Sequence, residues 1–266
     1  MFDLTDRVAV VTGVLGKLGP VWAQALLEAG ARVAGLDLAE APESGALSSL
    51  SDAYDADRLR LYTGDVLDRD SLAEARAAIE RELGPASILV NNAGIDQPPD
   101  QVESCHLHEI PADAVRRVLD VNVVGLFQVA QVFGEAMVER GGGSIINIGS
   151  LYASVSPDAR LYDHVPVDPP FLKPPAYGAS KAAVVNLTRY LATHWGPRGV
   201  RVNALSPGGV LGGQDEEFQR KFNARVPLGR MAEASDLGGP LVFLASEASS
   251  YVNGIELRVD GGFTAW

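Results

Sequence analysis

The sequence predicts an α/β fold in which one parallel sheet is covered by helices on both faces. Three observations lead to this prediction. Short β-branched runs alternate with longer helix-like stretches, the runs are apolar on consecutive residues, and the chain has neither an internal repeat nor a linker-like change of composition. Because crossovers between parallel strands are right-handed and join neighbours, we predict a single-domain, doubly wound Rossmann fold with a seven-stranded sheet over residues 1–266.

The predicted strands follow one another at intervals along the whole chain. They are the apolar runs at residues 7–12, 32–37, 58–63, 87–93, 144–150, 200–206 and 255–260. The residues between them are numerous enough for helical crossovers, which parallel strands require. Continuous apolar character, rather than alternation, indicates strands that are buried on both faces.

The composition is that of a soluble globular protein. Of 266 residues, 47% are hydrophobic, and 34 acidic against 22 basic residues give a formal net charge of −12, which disfavours nucleic acid as a partner. The single Cys105 cannot form an internal disulfide. We find neither an export signal nor an uninterrupted apolar run of about 20 residues. We therefore expect a cytoplasmic protein without membrane partners.

Two segments interrupt the alternation of strands and helices. Residues 153–175 are rich in proline, which removes backbone donors and prevents a long helix, so we predict a loop insertion over the surface or over a site. Residues 208–226 begin with glycines and continue as a charged amphipathic stretch, which we interpret as a substrate lid. Long irregular segments in a compact domain are usually functional or disordered.

A glycine-rich turn after the first strand predicts a dinucleotide site. Gly13, Gly16 and Gly19 let the backbone approach a pyrophosphate, and the helix that begins after Leu18 supplies amide donors and a partial positive charge. Asp37 ends the second strand, 24 residues after Gly13. This is close to the interval at which a carboxylate meets the ribose 2′-hydroxyl of NAD.

Lys17 is the discordant residue of this turn, because a cation there could hold the 2′-phosphate of NADP. Asp37 would repel the same phosphate, and a carboxylate close to a dianion outweighs a flexible surface lysine. We therefore predict NAD as the cofactor and NADP as the less favoured alternative.

Beyond the glycine turn, a series of short motifs follows the predicted strands. They are Gly64-Asp65-Val66, Asn91-Asn92-Ala93-Gly94, Asn122 within Val121–Gly125, Ser150, Tyr177-Gly178-Ala179-Ser180-Lys181 and Ser206-Pro207-Gly208. In this order the motifs resemble those of the short-chain dehydrogenase/reductase family over nearly the whole chain. The resemblance implies a cofactor held by the glycine turn and by Asp65, Val66, Asn91, Ala93, Gly94, Tyr177, Lys181, Pro207, Gly208 and Val210.

The sequence departs from the family pattern at two places. Gly13 and Gly16 are separated by two residues rather than three, with Lys17 where the second glycine usually falls. This spacing is similar to that of a branch associated with sugar and flagellin-glycan metabolism. The interval between Ser150 and Tyr177 is about twice the usual one, and it contains the 153–175 insertion.

Tyr177 and Lys181 lie four residues apart and therefore project from one face of a predicted helix. An ammonium lowers a phenol pKa from its ordinary value of about 10, so Tyr177 would accept a proton in alcohol oxidation and donate one in ketone reduction. Tyr162 is nearer to the usual interval after Ser150, but Pro166 follows it by four residues, so no ammonium is supplied there.

The family resemblance implies the remaining catalytic roles. Lys181 would also hold the nicotinamide ribose, Ser150 would hydrogen-bond the substrate oxygen, and Asn122 would position a water in a proton relay. The resemblance further implies a homotetramer, with residues 260–266 near a subunit contact.

Substrate contacts are expected where segments leave the carboxyl ends of the strands. These segments are polar, and the candidate contacts are Asp96, Gln97, Tyr152, Arg160, Tyr162, His164 and Gln214. We expect a small polar substrate, a sugar, sugar acid or polyol, interconverted between secondary alcohol and ketone. Ordinary solvated loops would have the same polarity. We expect no metal, because Cys105, His106, His108 and Glu109 do not form a defined ligand set.

Two other functions remain open at this point. A nucleotide-sugar epimerase or dehydratase also uses a Tyr and a Lys four residues apart, although such extended proteins carry a sizeable C-terminal substrate domain that we do not find here. A non-catalytic dinucleotide-binding sensor is the other alternative, and the intact set of Asn122, Ser150, Tyr177 and Lys181 argues against it.

Overall fold

A seven-stranded parallel sheet forms the centre of the protein in the computed structural model, which describes residues 1–41, 44–96 and 105–266. The strand order is β3-β2-β1-β4-β5-β6-β7, and every neighbouring pair is parallel. The strands are β1 (Val8–Thr12), β2 (Arg32–Asp37), β3 (Leu59–Thr63), β4 (Ala86–Asn91), β5 (Gly143–Ile148), β6 (Val200–Pro207) and β7 (Glu256–Val259). The predicted doubly wound α/β fold is confirmed.

Eight α-helices are found in the described part of the chain. They are α1 (Gly19–Glu28), α2 (Gly45–Ala53), α3 (Arg69–Glu82), α4 (Ala112–Leu119), α5 (Leu126–Glu139), α6 (Pro175–Trp195), α7 (Glu216–Asn223) and α8 (Ser235–Ala245). Helix α1 begins with Pro20 in its first turn, where the missing N–H costs nothing, and α3 begins after Asp68, whose side chain accepts from the amides of Asp70 and Ser71.

Two apolar cores lie on opposite faces of the sheet, as continuous apolar strands require. Val11 and Val90 face the core that contains Trp22 of α1 and residues of α8. Val10 faces the other core, which contains Phe133 of α5 and residues of α3 and α6. Because successive side chains of a strand point to opposite faces, the central strands β1, β4, β5 and β6 each contribute to both cores.

The helical run through α4 and α5 is long and apolar, which was not recognised from the sequence. Residues 112–139 form one run with a mean hydropathy of 1.4 in its most apolar window, which is long and apolar enough to cross a membrane by these two criteria. Asp120 and Asn122 interrupt the apolar residues, so this run was not recognised in the sequence. Half of the window is buried inside the protein, where Val129, Phe133 and Met137 belong to the core against the sheet.

The 153–175 segment is not a separate loop, because it packs on α7 through a third apolar cluster. Leu161, Tyr162 and Phe171 from the segment meet Phe222 of α7 and Phe263 near the C-terminus. Rings in this cluster lie 4.8 to 5.3 Å apart between centroids. The predicted insertion and the predicted lid region are therefore packed against each other.

The strand order reverses between β1 and β4, because the chain continues from β1 to β2 and β3 on one side and from β4 to β7 on the other. A doubly wound sheet opens a crevice beyond the carboxyl ends of its strands at this point. The glycine turn after β1 and the Asn91–Gly94 motif after β4 both lie there.

Candidate active site

The glycine turn between β1 and α1 brings backbone to the carboxyl edge of the sheet. Gly13 has a φ of +66°, and a Cβ there would lie 2.7 Å from the Cα of Ala93. A Cβ on Gly19 would lie 2.3 Å from the carbonyl oxygen of Val14. Within the described residues, the first turn of α1 after Leu18 has no acid and no side-chain cap. Such amides, next to a space that a Cβ would fill, fit a pyrophosphate.

Asn92 holds this turn in place, a role that the sequence analysis did not assign. Its Nδ2 donates to the carbonyl oxygens of Thr12 (3.0 Å) and Gly13 (2.9 Å), and its Oδ1 accepts from Trp22 Nε1 at 2.8 Å. The hydroxyl of Thr12 in turn accepts from the amides of Asn92 and Ala93, both at 3.1 Å. The end of β4 is therefore bonded to the turn after β1 and to α1.

Asp37 lies beside the glycine turn. Its carboxylate accepts from the amides of Leu15 (2.8 Å) and Leu38 (2.9 Å), so the acid at the end of β2 is fixed next to the turn after β1. Gly16 and Lys17 lie on the exposed side of the same turn. This placement of the carboxylate fits a ribose diol and would oppose a 2′-phosphate.

The Asp65-Val66 motif follows β3 and contacts the start of α5. Asp65 Oδ1 accepts from the amide of Leu67 at 2.8 Å, and Gln128 Nε2 donates to the carbonyl oxygen of Val66 at 3.2 Å. A Cβ on Gly125 would lie 2.7 Å from Val66 Cγ2. The structure thus brings both predicted residues to the ligand edge.

The turn after β6 contains the other predicted cofactor residues. Pro207 ends β6, and a Cβ on Gly208 would lie 2.7 Å from the Cα of Asp260. Val210 pairs in parallel with Ala232. The close approach to Asp260 explains the need for glycine at this position.

Asn91 is placed differently from the other predicted cofactor residues, because its side chain lies in the core. It is 2% exposed, and its Nδ2 donates to Asn147 Oδ1 at 2.9 Å. Asn147 Nδ2 donates to the hydroxyl of Thr188 at 2.9 Å. These three polar side chains connect β4, β5 and α6 beneath the site.

Asn122 lies in a wide π turn, Asp120–Gly125, between α4 and α5. Its Oδ1 accepts from the amide of Ile95 at 2.8 Å, and its Nδ2 donates to the carbonyl oxygen of Ile95 (3.1 Å) and to Ser180 Oγ (3.0 Å). The hydroxyl of Ser180 donates to the carbonyl oxygen of Tyr177 at 2.7 Å. Asn122 therefore ties the segment after β4 to the first turn of α6. A π turn inside a helix frequently marks a functional site.

Lys181 is buried beneath the tyrosine that precedes it by one helical turn. Its ammonium donates to the carbonyl oxygen of Ile148 at 2.8 Å and lies 5.7 Å from the centroid of the Tyr177 ring. Burial lowers the pKa of Lys181 to about 8, and the negative charge of Asp96 opposes this. A Cβ on Gly94 would lie 3.1 Å from Asn122 Oδ1, so a side chain there would crowd the amide beside the ammonium.

Ser150 Oγ accepts from the amide of Tyr152 at 3.2 Å, and the Ser150 side chain acts to lower the pKa of the Tyr177 phenol. Burial raises the pKa of Tyr177 above its ordinary value, Asp96 raises it further, and the Ser150 side chain opposes both. The ring of Tyr152 meets that of Tyr177 edge-on, with centroids 6.4 Å apart. The phenol, the serine hydroxyl and the lysine ammonium thus form one group, as the general acid–base chemistry of an alcohol requires.

Two family models together match almost the whole chain. Residues 7–162 match short chain dehydrogenase, and residues 168–264 match enoyl-(acyl carrier protein) reductase. The chain belongs to the short-chain dehydrogenase/reductase family. It is an oxidoreductase that acts on CH–OH groups, and its cofactor is a nicotinamide dinucleotide.

Similar proteins act on sugar alcohols and sugar acids. The dehydrogenase is 37% identical to galactitol 2-dehydrogenase (L-tagatose-forming) of Cereibacter sphaeroides, over 100% of this chain and 98% of the relative. It is 36% identical to gluconate 5-dehydrogenase of Gluconobacter oxydans, over 99% and 97%. A solved gluconate 5-dehydrogenase of Burkholderia cenocepacia, in complex with NADP and tartrate, is 30% identical with a TM-score of 0.84 over 100% of this chain and 98% of that one. These relatives are consistent with the sugar-associated branch that the glycine spacing indicated.

Tyr162, the competing tyrosine, lies in the third apolar cluster of the dehydrogenase. Its ring is 4.9 Å from that of Phe171 and 5.3 Å from that of Phe218, and Tyr152 acts to raise its pKa. Burial raises the pKa of Tyr162 well above its ordinary range. Tyr162 supports Tyr152, which faces Tyr177.

Three further predicted substrate residues use their polar groups to hold loops together. The guanidinium of Arg160 is paired with Asp158, and its side chain is 84% exposed. His164 Nε2 lies 2.8 Å from Asp215 Oδ1, the acid that begins α7. Gln214 donates to the carbonyl oxygen of Val210 at 2.9 Å. In the structure, the polar groups of these three side chains therefore contact other protein groups, whereas the sequence predicted that they contact the substrate. Gln97 lies outside the described residues.

Lys173 is the site residue that the sequence analysis missed. It ends the 153–175 segment, two residues before α6, and its ammonium forms an ion pair with Asp96 after β4. The same ammonium lies 5.3 Å from the centroid of the Tyr177 ring, and the side chain is only 9% exposed. A basic residue two positions before the helix that carries Tyr177 was the available signal.

Proposed function

We propose that this protein is an NAD-dependent dehydrogenase that interconverts the secondary alcohol and ketone of a sugar-like, polyhydroxylated substrate. The observation that supports it most directly is the group formed by the Tyr177 phenol, the Ser150 hydroxyl and the Lys181 ammonium, at the sheet edge where the glycine turn lies. The sugar alcohols and sugar acids named for the relatives support the substrate type.

The roles of the side chains follow from their contacts. Nicotinamide dinucleotide, when bound, supplies the hydride acceptor and a positive ring that favours the phenolate. Tyr177 takes the hydroxyl proton of the substrate, and Ser150, whose side chain favours the ionised phenol, holds the substrate oxygen where charge develops. Lys181 stabilises the phenolate through its charge. Asn122 fixes the segment after β4 against α6.

The reaction type is tested by turnover of the purified protein with NAD. We expect net NADH formation with polyols or sugar acids and none with hydroxysteroids, because the charged groups of Lys173 and Asp96 lie beside Tyr177. Isomerisation of a nucleotide sugar without net NADH would instead indicate an epimerase. Binding of NADH with no turnover of any alcohol would indicate a sensor.

The preference for NAD over NADP rests on Asp37. Its carboxylate is held next to the glycine turn by the amides of Leu15 and Leu38, where a 2′-phosphate would meet a fixed negative charge. We expect kcat/KM to be at least about tenfold higher with NAD, and Asp37→Ser to reduce this ratio by a similar factor. Lys17→Ala, on the same turn, removes the cation that could hold the 2′-phosphate and should move the ratio in the opposite direction, further towards NAD. Equal efficiency of the wild-type enzyme with NADP would contradict the assignment.

We also propose that the enzyme is a cytoplasmic homotetramer. A lone cysteine is compatible with a reducing compartment. Trp266, which is 84% exposed in the single chain, is an apolar residue that a subunit contact would cover. Cell fractionation tests the compartment, and recovery of the protein in an exported fraction would contradict it.

A further inference from the structure

The ion pair between Asp96 and Lys173 lies beside the Tyr177 ring. It is not part of the glycine turn or of the apolar cores. Lys173 Nζ is 5.3 Å and Lys181 Nζ is 5.7 Å from the centroid of the Tyr177 ring, so two ammonium groups approach one phenol. Lys181 is engaged with the carbonyl oxygen of Ile148. Lys173 is engaged with a carboxylate that is 36% exposed, whereas its own side chain is 9% exposed. A substrate at Tyr177 therefore meets a cation that is already neutralised.

The other basic side chains of this region, as far as the described residues extend, also contact carboxylates. Lys221 is paired with Asp163 on the 153–175 segment, and Arg160 and Arg225 share the single carboxylate of Asp158, which leaves this group with one net positive charge. The residues 97–104, which the structure does not describe, contain two acids and no basic residue in the sequence. A substrate carboxylate that bound Lys173 beside Tyr177 would have to displace Asp96 and leave Asp96 without its counter-charge, which is costly in a partly buried site.

A neutral polyol meets no such cost. Its hydroxyls both donate and accept, so one hydroxyl can donate to the Asp96 carboxylate while another accepts from the Lys173 ammonium. Hydrogen bonds to charged partners are stronger than those between neutral groups. An ion pair of zero net charge at the site therefore favours vicinal hydroxyls over an anion.

We propose that the Asp96–Lys173 pair determines specificity, selecting neutral polyols over the corresponding sugar acids. This inference rests on the proposed function and narrows it to one substrate class. Asp96 accepts from and Lys173 donates to substrate hydroxyls next to the carbinol that Tyr177 deprotonates. Lys173 here binds substrate and is distinct from Lys181, which acts on the phenol.

The experiment compares polyols with the acids that differ from them only in one terminal group. The pairs are galactitol and galactonate, glucitol and gluconate, and threitol and threonate, each with saturating NAD. We expect kcat/KM of the wild-type enzyme to favour the polyol by about tenfold or more in each pair that reacts. The ratio within a pair cancels any general effect of a variant on Tyr177 or on NAD.

Variants of the pair make the test independent of substrate identity. Asp96→Asn keeps the shape of the side chain and removes the negative charge that neutralises the Lys173 ammonium. The ratio of kcat/KM for the polyol to kcat/KM for the acid should therefore fall by about ten- to a hundredfold. Lys173→Met should lower kcat/KM for the polyol without any gain for the acid, and Lys173→Arg should retain part of the polyol activity. Glu247→Gln, which changes the net charge equally, is 73% exposed and pairs with Arg7 before β1, at the edge of the sheet opposite the site, is the matched control and should leave the ratio unchanged.

The outcomes separate this inference from the proposed function. A wild-type enzyme that prefers the sugar acids, or an Asp96→Asn variant that folds like the wild type by its thermal midpoint but keeps the wild-type ratio, overturns the inference and leaves the dehydrogenase intact. NADH formation from no polyol and no sugar acid overturns the proposed function itself, and the inference with it.

Discussion

Burial shifts the pKa values of single residues at the site away from their ordinary values. Burial raises the pKa of Tyr177 and lowers that of Lys181 to about 8, so in the protein without ligands each side chain is pushed towards its neutral form. Ser150 acts in the opposite direction on the pKa of the phenol. Such opposed shifts in one group of residues are typical of sites that transfer protons.

Tyr177→Phe tests the proton-transfer role directly. The variant loses the phenol hydroxyl and keeps the ring, so we expect kcat to fall by about 10²- to 10⁴-fold while the Kd for NADH, measured by fluorescence, stays close to the wild-type value. Tyr162→Phe removes the same group from a tyrosine in the apolar cluster and should reduce kcat far less. Near-normal turnover of Tyr177→Phe would refute the assignment.

Lys181→Met should stabilise the protein without ligands while abolishing activity. The pKa of Lys181 falls from 10.5 to about 8 on folding, so below pH 8 the buried ammonium destabilises the folded state. We expect the variant to be more stable by about 2 kcal/mol at pH 7, after allowing for the lost hydrogen bond to Ile148.

The sign of the pH dependence distinguishes this cause from a general packing effect. Between pH 8 and 10.5 the unfolded chain binds a proton that the folded protein has released. The free energy of unfolding of the wild type therefore rises relative to that of the variant as pH increases through this window. Urea denaturation of both proteins at pH 7 and pH 10 measures the difference. If the difference in unfolding free energy between the two proteins is the same at pH 7 and pH 10, the assignment is contradicted.

At the scale of elements, the 153–175 segment and α7 form one unit over the site. Lys221 of α7 pairs with Asp163 and lies 3.2 Å from His164 Nδ1, and the phenyl ring of Phe222 stacks on that of Phe263 with centroids 4.8 Å apart. The segment ends on Lys173, which meets Asp96. The position of Lys173 therefore depends on how the segment packs, as well as on its own ion pair.

Phe222→Ala should loosen this unit more than the rest of the fold. Phe222 is 2% exposed, and removing such a ring costs about 3–5 kcal/mol where the cavity persists. We expect KM for the polyol to rise by about tenfold or more, with a much smaller change in the Kd for NADH and faster proteolysis within 153–175.

Phe133→Ala is the matched control for this prediction, because Phe133 is also buried, at 1% exposed, but belongs to the core between the sheet and α5. It should lower global stability without a selective effect on KM. If both variants change KM equally, the 153–175 segment and α7 do not form a separate unit.

At the scale of the whole molecule, the sheet order places the cofactor turn and the catalytic residues at one edge. β1 and β4 carry the glycine turn and Asn92, while β5 is followed by Ser150, and all of these strands are parallel. Their carboxyl ends must therefore meet on the same side. Some of the acidic residues form ion pairs that join loops to helices, such as Asp163 with Lys221 and Asp236 with Arg230.

The proposed tetramer gives a prediction at this scale. Sedimentation velocity at micromolar concentration should show a species of four chains, and the species should persist at high salt if apolar contacts rather than ion pairs hold it. Trp266→Ser should weaken the assembly if the C-terminus lies in a contact, with Tyr251→Ser as a control at another exposed aromatic residue. A monomer at this concentration would remove the proposal.

Much of the fold was predictable from local patterns. The predicted strand at 7–12 is observed at Val8–Thr12 and that at 200–206 at Val200–Pro207, since an apolar run bounded by turn residues determines a buried strand. The fourth strand is observed at Ala86–Asn91 rather than 87–93, because Asn92 and Ala93 leave the sheet to bond Thr12. The π turn around Asn122 was not predictable, because its apolar residues continue the hydrophobic pattern of an ordinary α-helix.

The sequence by itself determined the sheet, the glycine turn, and the Tyr177 and Lys181 pair, because each depends on residues that are near one another in the chain. Only the tertiary structure decided which polar residues of the loops reach the site. His164 and Arg160 are paired within the loops, whereas Lys173 meets Asp96, 77 residues away, beside the Tyr177 ring. The physical reason is that ion pairs and apolar contacts between distant segments depend on where the backbone brings them, which spacing along the chain does not specify.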